Sequence, residues 1–475
     1  MMFKYLETLE QEKHVNAFRF LDGENSYNIT FETYIRDIKE CATRLENLMG
    51  PLEGKHIALI GGNSYEYVII AIALMFSRAV FIPLNFHELE ENLKFAVKNS
   101  DAEYLIADDL EKFSFLSEVK TYSFDIALKG DVEPKDLKDF TKEEANNLMM
   151  IVYTSGTTSL SKGVMLSVGN IFGGEKIALP KGYSNGFEPY PGMPIYTNFP
   201  FYHIGGLLAL ITWSEHACTF YQSVHPENIL DDLVDEEIDY ACVLPGTLKL
   251  WLKAIRRGHM ERLGKVKILC TAGAPVSVED VKEITSKGIA FGQYYGMTET
   301  GGNATFNFDM EHHMASVGRP YDDAEIKIID GEIGINYWGN MMGYYKNEEA
   351  TAEILRDGMI FTGDLGYLDE DGYLYITGRK KNLIILSSGE NICPEELEKY
   401  MYANEKVKEC IAYGKNDRIH VSVFSENDAQ EEIKSYVKEL NKKLPLYKRI
   451  YGVEFRETEF EKTGTGKIKR TAIAI

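Results

Sequence analysis

Tyr153-Thr154-Ser155-Gly156-Thr157-Thr158-Ser159-Leu160-Ser161-Lys162-Gly163 is the stretch on which the reading of this chain turns. The run before it, Leu148-Met149-Met150-Ile151-Val152, is apolar and short enough to be a buried strand. The loop that follows is rich in glycine, hydroxyl and lysine and contains no acid. It offers backbone N–H groups, hydroxyl donors and an ammonium to one region of space. A ligand that needs so many donors and no acceptor is a polyanion, and phosphate is the usual one. A Ser/Thr-rich surface turn has the same composition; the buried strand leading in and the lysine near the exit favour phosphate. The order Ser161-Lys162-Gly163 departs from the Walker loop, which ends in Gly-Lys-Ser/Thr.

Working outward, 475 residues exceed what one core serves, so two or more domains are expected. A net charge of -22 argues against nucleic acid or an anionic membrane as the main partner, since both repel an acidic protein. The charge is uneven. From Arg379 onward there are 19 Lys and Arg against 16 Asp and Glu, and the rest of the chain carries the acidity. A mildly basic C-terminal segment suits closure over phosphates; a fluctuation of surface charge gives the same count. The six cysteines are scattered, with no C-x-x-C pair, so neither a disulfide framework nor a zinc site is expected. The N-terminus lacks a signal-peptide core, and the longest apolar run, Val68 to Phe76, falls far short of the ~20 residues a membrane helix needs. A soluble cytoplasmic protein is expected.

Strand and helix alternate ahead of the loop. His56 to Gly61, Ala79 to Leu84 and Tyr104 to Ala107 read as strands; Ser64 to Phe76, capped by Asn63 or Ser64, and Glu88 to Asn99 read as helices. The rhythm returns with helices at 229–237, 247–255 and 278–286 and strands at 240–244, 266–270 and 289–292. Two α/β sheet units covered by helices are therefore expected before residue 300. From Tyr321 to Tyr375 glycines are dense and alternating runs such as Glu325-Ile326-Lys327-Ile328-Ile329 predict antiparallel strands. A compact segment follows, with a strand at 383–386 and helices at 394–402 and 430–440. The domain boundary is placed at the charged run Arg379–Lys381, giving domains 1–378 and 379–475.

Three further stretches have the look of sites. Phe291 to Thr300 follows a strand, and its Glu299 is a carboxylate suited to Mg²⁺. Phe361 to Gly366 sets Asp364 beside a glycine turn, where it can accept hydrogen bonds from a ribose diol. Thr463-Gly464-Thr465-Gly466-Lys467 puts a lysine on an uncluttered loop. Each alone also fits a plain turn or a frayed tail. In this order and spacing, however, the four stretches resemble the superfamily of adenylate-forming enzymes: acyl- and aryl-CoA synthetases, luciferases and the adenylation domains of peptide synthetases. His203 in Phe201 to Gly206, Gly273-Ala274-Pro275, Gly318-Arg319-Pro320, Gly343-Tyr344 and the long run Gly378 to Glu398 add to the resemblance, which covers nearly the whole chain.

The resemblance implies an α/β fold: a large N-terminal domain of two doubly wound sheets plus a distorted β-barrel, and a small mobile α+β C-terminal lid. It implies that a carboxylate attacks the α-phosphate of Mg·ATP to give an acyl-adenylate and pyrophosphate. A thiol, of CoA or of the phosphopantetheine on a carrier protein, then takes the acyl group and releases AMP. By resemblance Thr154, Ser155, Gly156, Thr157, Thr158 and Lys162 hold the β- and γ-phosphates, Thr298 meets the α-phosphate and Glu299 the magnesium. Tyr295 stacks on adenine with Gly273 and Ala274 at its edge, and Asp364 takes the ribose hydroxyls with help from Arg379. Lys467 bridges carboxylate and phosphoryl oxygens, Lys381 is the hinge of the lid, and Gly389 lines the pantetheine channel. His203, in an aromatic-histidine pair where amino-acid-activating members carry aspartate, points to an acid without an α-amino group.

The chain departs from the family pattern at Ser159, where glycine is usual, at Tyr294, where a glycine commonly lines the acyl pocket, and in a shortened region at 330–339. The leading expectation is an acyl-CoA synthetase acting on a fatty, branched or aryl acid. A carrier-protein ligase, a luciferase-like oxygenase and a non-catalytic paralogue are the alternatives.

Overall fold

A computed structural model describes residues 4–154, 161–173, 188–225, 228–386, 390–425, 429–462 and 468–470. The first α/β unit is a seven-stranded sheet. Its strands run, edge to edge, Gly343–Tyr344, Lys162–Ser167, Leu148–Thr154, Val80–Leu84, His56–Ile60, Tyr104–Ala107 and Lys120–Ser123. The interior strands are near-continuous apolar runs, as a parallel sheet covered on both faces requires. The apolar segment too short for a membrane is the helix Tyr65–Phe76, buried on all sides. Ser64 caps it by accepting from the Tyr67 N–H. Asn63 does different work: its side chain spans to the Phe199 carbonyl (2.9 Å) and the Phe201 N–H (2.8 Å).

The second α/β unit is a nine-stranded sheet, in the order Arg319–Pro320, Gly302–Asn307, Ala290–Met297, Ile268–Thr271, Tyr240–Val243, Pro194–Thr197, Thr219–Ser223, Asn16–Leu21, Tyr27–Thr30. Its parallel centre packs on the helices Pro245–Arg256 and Val278–Thr285 around Trp251, Leu252, Leu269 and Phe291. Fully burying side chains of this size contributes about 1.5–3 kcal/mol each, offset by chain entropy. The helix expected over 229–237 is absent; residues 229–235 form successive hydrogen-bonded turns. Asp235, Glu236 and Glu237 would sit at its C-terminal end, where acids oppose the helix dipole. The carbonyl of Glu236 instead accepts from Lys265 N–H, and its carboxyl pairs with Arg19.

The glycine-dense stretch forms short strands of a five-stranded sheet: Glu325–Ile329, Glu332–Asn336, Leu355–Arg356, Met359–Leu368 and Leu374–Arg379. By compactness the chain divides into one unit of residues 1–325 and 335–360 and another of residues 326–334 and 361–475. The second unit includes a three-stranded sheet, Val407–Lys415, Arg418–Ser425 and Ile450–Arg456, covered by helices Pro394–Tyr402 and Gln430–Lys443. The strand expected at 383–386 shrinks to Ile384–Ile385, paired with Asn391–Ile392. Among the described residues no helix is long and apolar enough to cross a membrane. All six cysteines are free, and burial pushes the thiols of Cys41, Cys218 and Cys242 up to about 12.

Candidate active site

The expected phosphate loop joins two strands of the first unit in antiparallel register, with Thr154 opposite Lys162. Thr154 Oγ1 donates to the Lys162 carbonyl at 3.5 Å. Ser155, Gly156, Thr157 and Thr158 lie outside the described residues. Lys162 is placed by the ladder and by a neighbour to which no role was assigned above. Gly343–Tyr344 pairs with Lys162–Ser167, Tyr344 opposite Val164, which brings the Tyr344 ring 4.9 Å from Lys162 Nζ. The hydroxyl of the same tyrosine donates to Glu299 Oε1 at 2.7 Å. Burial, and after it the adjacent Glu299 carboxyl, push the Tyr344 hydroxyl up, so it remains a donor.

Glu299 is 7% exposed. It lies on the short turn Thr298–Thr300, closed by Gly301 in the left-handed region (φ 61°), and the Glu299 carbonyl accepts from Met341 N–H at 2.8 Å. A buried carboxyl with one hydroxyl donor among the described residues has lone pairs left over for a cation. That fits Mg²⁺, which is held by one or two carboxylates plus phosphate oxygens rather than by a protein cage. Among the described residues no group of three or more His, Cys, Asp or Glu forms such a cage.

The other residues expected on the nucleotide side stand at the carboxyl ends of neighbouring parallel strands, where open α/β sheets bind ligands. Gly273 and Ala274 follow Ile268–Thr271, and Gly273 adopts φ +85°, open to glycine at no steric cost. Tyr295 lies on Ala290–Met297 and leads directly into Thr298. That strand runs past the expected end at 292 through a register shift after Tyr295; a Cβ on Gly296 would lie 1.8 Å from the Gly302 carbonyl. His203 is the N-cap residue of helix Ile204–Glu215, whose first turn wraps so tightly that a Cβ on Gly206 would lie 2.3 Å from the Pro200 carbonyl.

In the second unit Asp364 and Arg379 face each other across the strands Met359–Leu368 and Leu374–Arg379, with Arg379 Nε 2.6 Å from Asp364 Oδ1. Asp364 is placed by a Thr362 hydroxyl that accepts its N–H (3.1 Å) and donates to the Ile333 carbonyl (3.0 Å). Glu332 fixes the turn before it, accepting from Gly363 N–H (3.1 Å) and Lys380 Nζ (2.8 Å). Lys381 follows on the short helical turn Lys380–Asn382. Gly389 and Lys467 lie outside the described residues. The structure thus joins Thr154, Lys162 and Glu299 through Tyr344, and Asp364 with Arg379. Tyr344, Asn63 and Glu332 were not foreseen as positioning residues; Tyr344 had a signal as part of a matched motif, and Asn63 stood only as a candidate helix cap.

Polar loops gathered at the carboxyl ends of doubly wound strands, with a lysine and a buried carboxyl tied together, define an α/β protein built to take a nucleotide. A sequence model described as AMP-binding enzyme matches residues 7–345, and one described as AMP-binding enzyme C-terminal domain matches 381–474. The chain belongs to the AMP-binding enzyme family. It is 28% identical over 476 residues to the 2-succinylbenzoate–CoA ligase of Bacillus licheniformis, spanning 94% of this chain and 95% of that one. The 2-succinylbenzoate–CoA ligase of Oceanobacillus iheyensis is 27% identical over 453 residues, 91% of each chain. Among solved structures, the o-succinylbenzoate CoA synthetase of Bacillus subtilis in complex with its acyl-adenylate intermediate has a TM-score of 0.86 at 23% identity, covering 99% of this chain and 97% of that one. ATP-bound MatB from Rhodopseudomonas palustris has a TM-score of 0.85 at 21% identity, covering 99% and 98%. These last two likenesses are of fold.

Proposed function

We propose that this chain is an AMP-forming acid–thiol ligase: it activates a carboxylic acid with Mg·ATP to an acyl-adenylate and passes the acyl group to the thiol of CoA. The observation that carries the reading is the Lys162–Tyr344–Glu299 arrangement in a chain that matches the family at both its N-terminal and C-terminal parts. Adenylation brings two anions together, so donors and cations must be in place beforehand. Lys162, Thr154 and the loop between them take the β- and γ-phosphates, Thr298 the α-phosphate. Glu299 holds Mg²⁺, which supplies charge neutralisation when bound. Tyr295, Gly273 and Ala274 take adenine, Asp364 and Arg379 the ribose, and His203 faces the acid. Lys467 bridges the reacting anions, and Gly389 borders the thiol's path. The lid begins at Arg379 and turns about Lys381 between half-reactions. The free thiols and the need for ATP and CoA support a cytoplasmic location.

The test is pyrophosphate release across a panel of acids, followed by mass spectrometry of the product with CoA or a carrier protein. An acid-dependent signal with a CoA thioester is expected. Product on the carrier alone assigns the carrier-protein alternative, oxygen consumption the oxygenase, and silence across the panel the non-catalytic paralogue.

The ribose assignment has its own consequence. Asp364→Asn weakens the charged pair with Arg379 and one charged acceptor for a diol, so KM for ATP should rise about 10-fold or more, the worth of a charge-assisted hydrogen bond, with a much smaller change in kcat. Steady-state kinetics at saturating acid read this directly; a lower kcat at unchanged KM speaks against the assignment.

A further inference from the structure

Aromatic rings pack between helix Ile204–Glu215 and the strands beneath it. Tyr294 stands one residue before Tyr295. Its ring lies 4.3 Å from Phe306, its partner across the antiparallel pair. Its hydroxyl is 2.7 Å from the Tyr240 hydroxyl, and the Tyr240 ring is 4.7 Å from Trp213 on the helix. All four side chains are buried. Neighbouring positions are also closely packed: a Cβ on Gly302 would lie 2.4 Å from Leu208 of the helix, and one on Gly292 would lie 2.8 Å from Cys270 Sγ and 3.2 Å from Phe306. The sheet and helix are thus bridged from Trp213 through Tyr240 and Tyr294 to Phe306 within a few residues of Thr298.

An acid that attacks phosphorus beside Thr298 must bring its carboxylate within about 3–3.5 Å of the α-phosphate. On the ligase reading, its carbon chain leaves that point between helix Ile204–Glu215, headed by His203, and the strand Ala290–Met297. Resting on the ligase reading above, we propose that the substrate is a short-chain carboxylic acid whose tail ends against the Tyr240–Tyr294 hydroxyl pair, with Tyr294 as the residue that sets the length limit. A long or bulky tail would have to part a hydrogen-bonded pair and displace close-packed rings, which dense interiors resist.

The experiment measures kcat/KM for acid-dependent pyrophosphate release with straight-chain acids from acetate to decanoate and with 2-succinylbenzoate. It uses the full chain and its Tyr294→Gly and Tyr294→Phe variants. In the unmodified protein, kcat/KM should fall at least about 100-fold between butyrate and octanoate, since each misfitted methylene changes it by about 10-fold or more. Tyr294→Gly should raise octanoate relative to butyrate by about 10- to 100-fold. Tyr294→Phe retains the ring and should keep the cutoff. Octanoate, decanoate or 2-succinylbenzoate matching butyrate in the unmodified protein overturns the length limit and leaves the ligase reading standing. Should Tyr294→Gly fail to fold, that comparison in the unmodified protein still decides. Silence with every acid in a protein that binds ATP overturns the ligase reading, and the inference with it.

Discussion

Lys467→Ala should lose about 10³-fold in acid-dependent pyrophosphate release while converting a supplied acyl-adenylate and CoA to thioester at close to the unmodified rate. The magnitude comes from Coulomb's law. A unit charge about 4 Å from a reacting anion, at an effective dielectric near 20, is worth about 4 kcal/mol, and each 1.36 kcal/mol is tenfold in rate. The first half-reaction drives a carboxylate against a phosphate and needs that charge. The second moves a thiol onto an already activated acyl carbon, with AMP leaving, and does not. The substitution should spare the fold, because the described residues on either side are held elsewhere. Lys462 pairs with Glu409 and with Glu459 (2.7 Å), Lys469 N–H donates to the Glu461 carbonyl (2.8 Å), and Arg470 Nη1 donates to Glu398 Oε1 (2.8 Å). Glu398 is buried and also accepts from Ala412 N–H at 2.7 Å, so Arg470 is anchored to the core of its unit. Rapid-quench assays of the two half-reactions, with thermal melting as control, check the prediction. Equal losses in both halves would remove Lys467 from its assigned role.

Much of this was legible in the chain itself, for a definable reason. Where the signal is local, it reads through. Parallel strands are apolar runs, and helix Pro394–Tyr402 begins on a proline and ends where its pattern stops. Ser64 is a cap residue at the head of an apolar helix. Where the structure depends on a partner distant in sequence, it does not. Residues 229–237 carry enough apolar spacing for a helix, and the decision against it is made by Gly264, where a Cβ would lie 2.0 Å from the Leu233 carbonyl, and by Arg19 and Lys265. The strand Ala290–Met297 runs five residues beyond its expected end at 292 because the return strand Gly302–Asn307 pairs with it, which no pattern within 289–297 announces. The site divides along the same line. Its glycines, hydroxyls and acids are visible as motifs, whereas Tyr344 touches Glu299 across a separation of 45 residues and pairs with the strand after the phosphate loop, so its part in the site is a property of the fold.

That position of Tyr344 makes Glu299 the second site of large effect. Glu299→Gln removes the charge yet keeps an oxygen for the Tyr344 hydroxyl, so the turn Thr298–Thr300 and its bond to Met341 N–H have no reason to move. What disappears is the anion proposed above to meet Mg²⁺. Adenylation should fall by about 10²–10³-fold, the scale of losing one preorganised electrostatic contact in a water-poor site, and excess Mg²⁺ should recover part of it. Tyr344→Phe separates positioning from ligation. The ring stays over Lys162 while the hydroxyl that aims the carboxyl is lost. Its expected signature is an apparent metal affinity about 10- to 100-fold weaker, the usual cost of losing an outer hydrogen bond to a metal ligand, with KM for ATP little changed once the metal saturates. Binding of Mn²⁺ in the presence of a non-hydrolysable ATP analogue, followed by its electron paramagnetic resonance signal, reads the metal without turnover. Glu299→Gln binding Mn²⁺ as tightly as the unmodified protein would place the cation on other groups. A Tyr344→Phe variant that left metal affinity unchanged would show that the hydroxyl bond to Glu299 has no part in holding the cation's ligand.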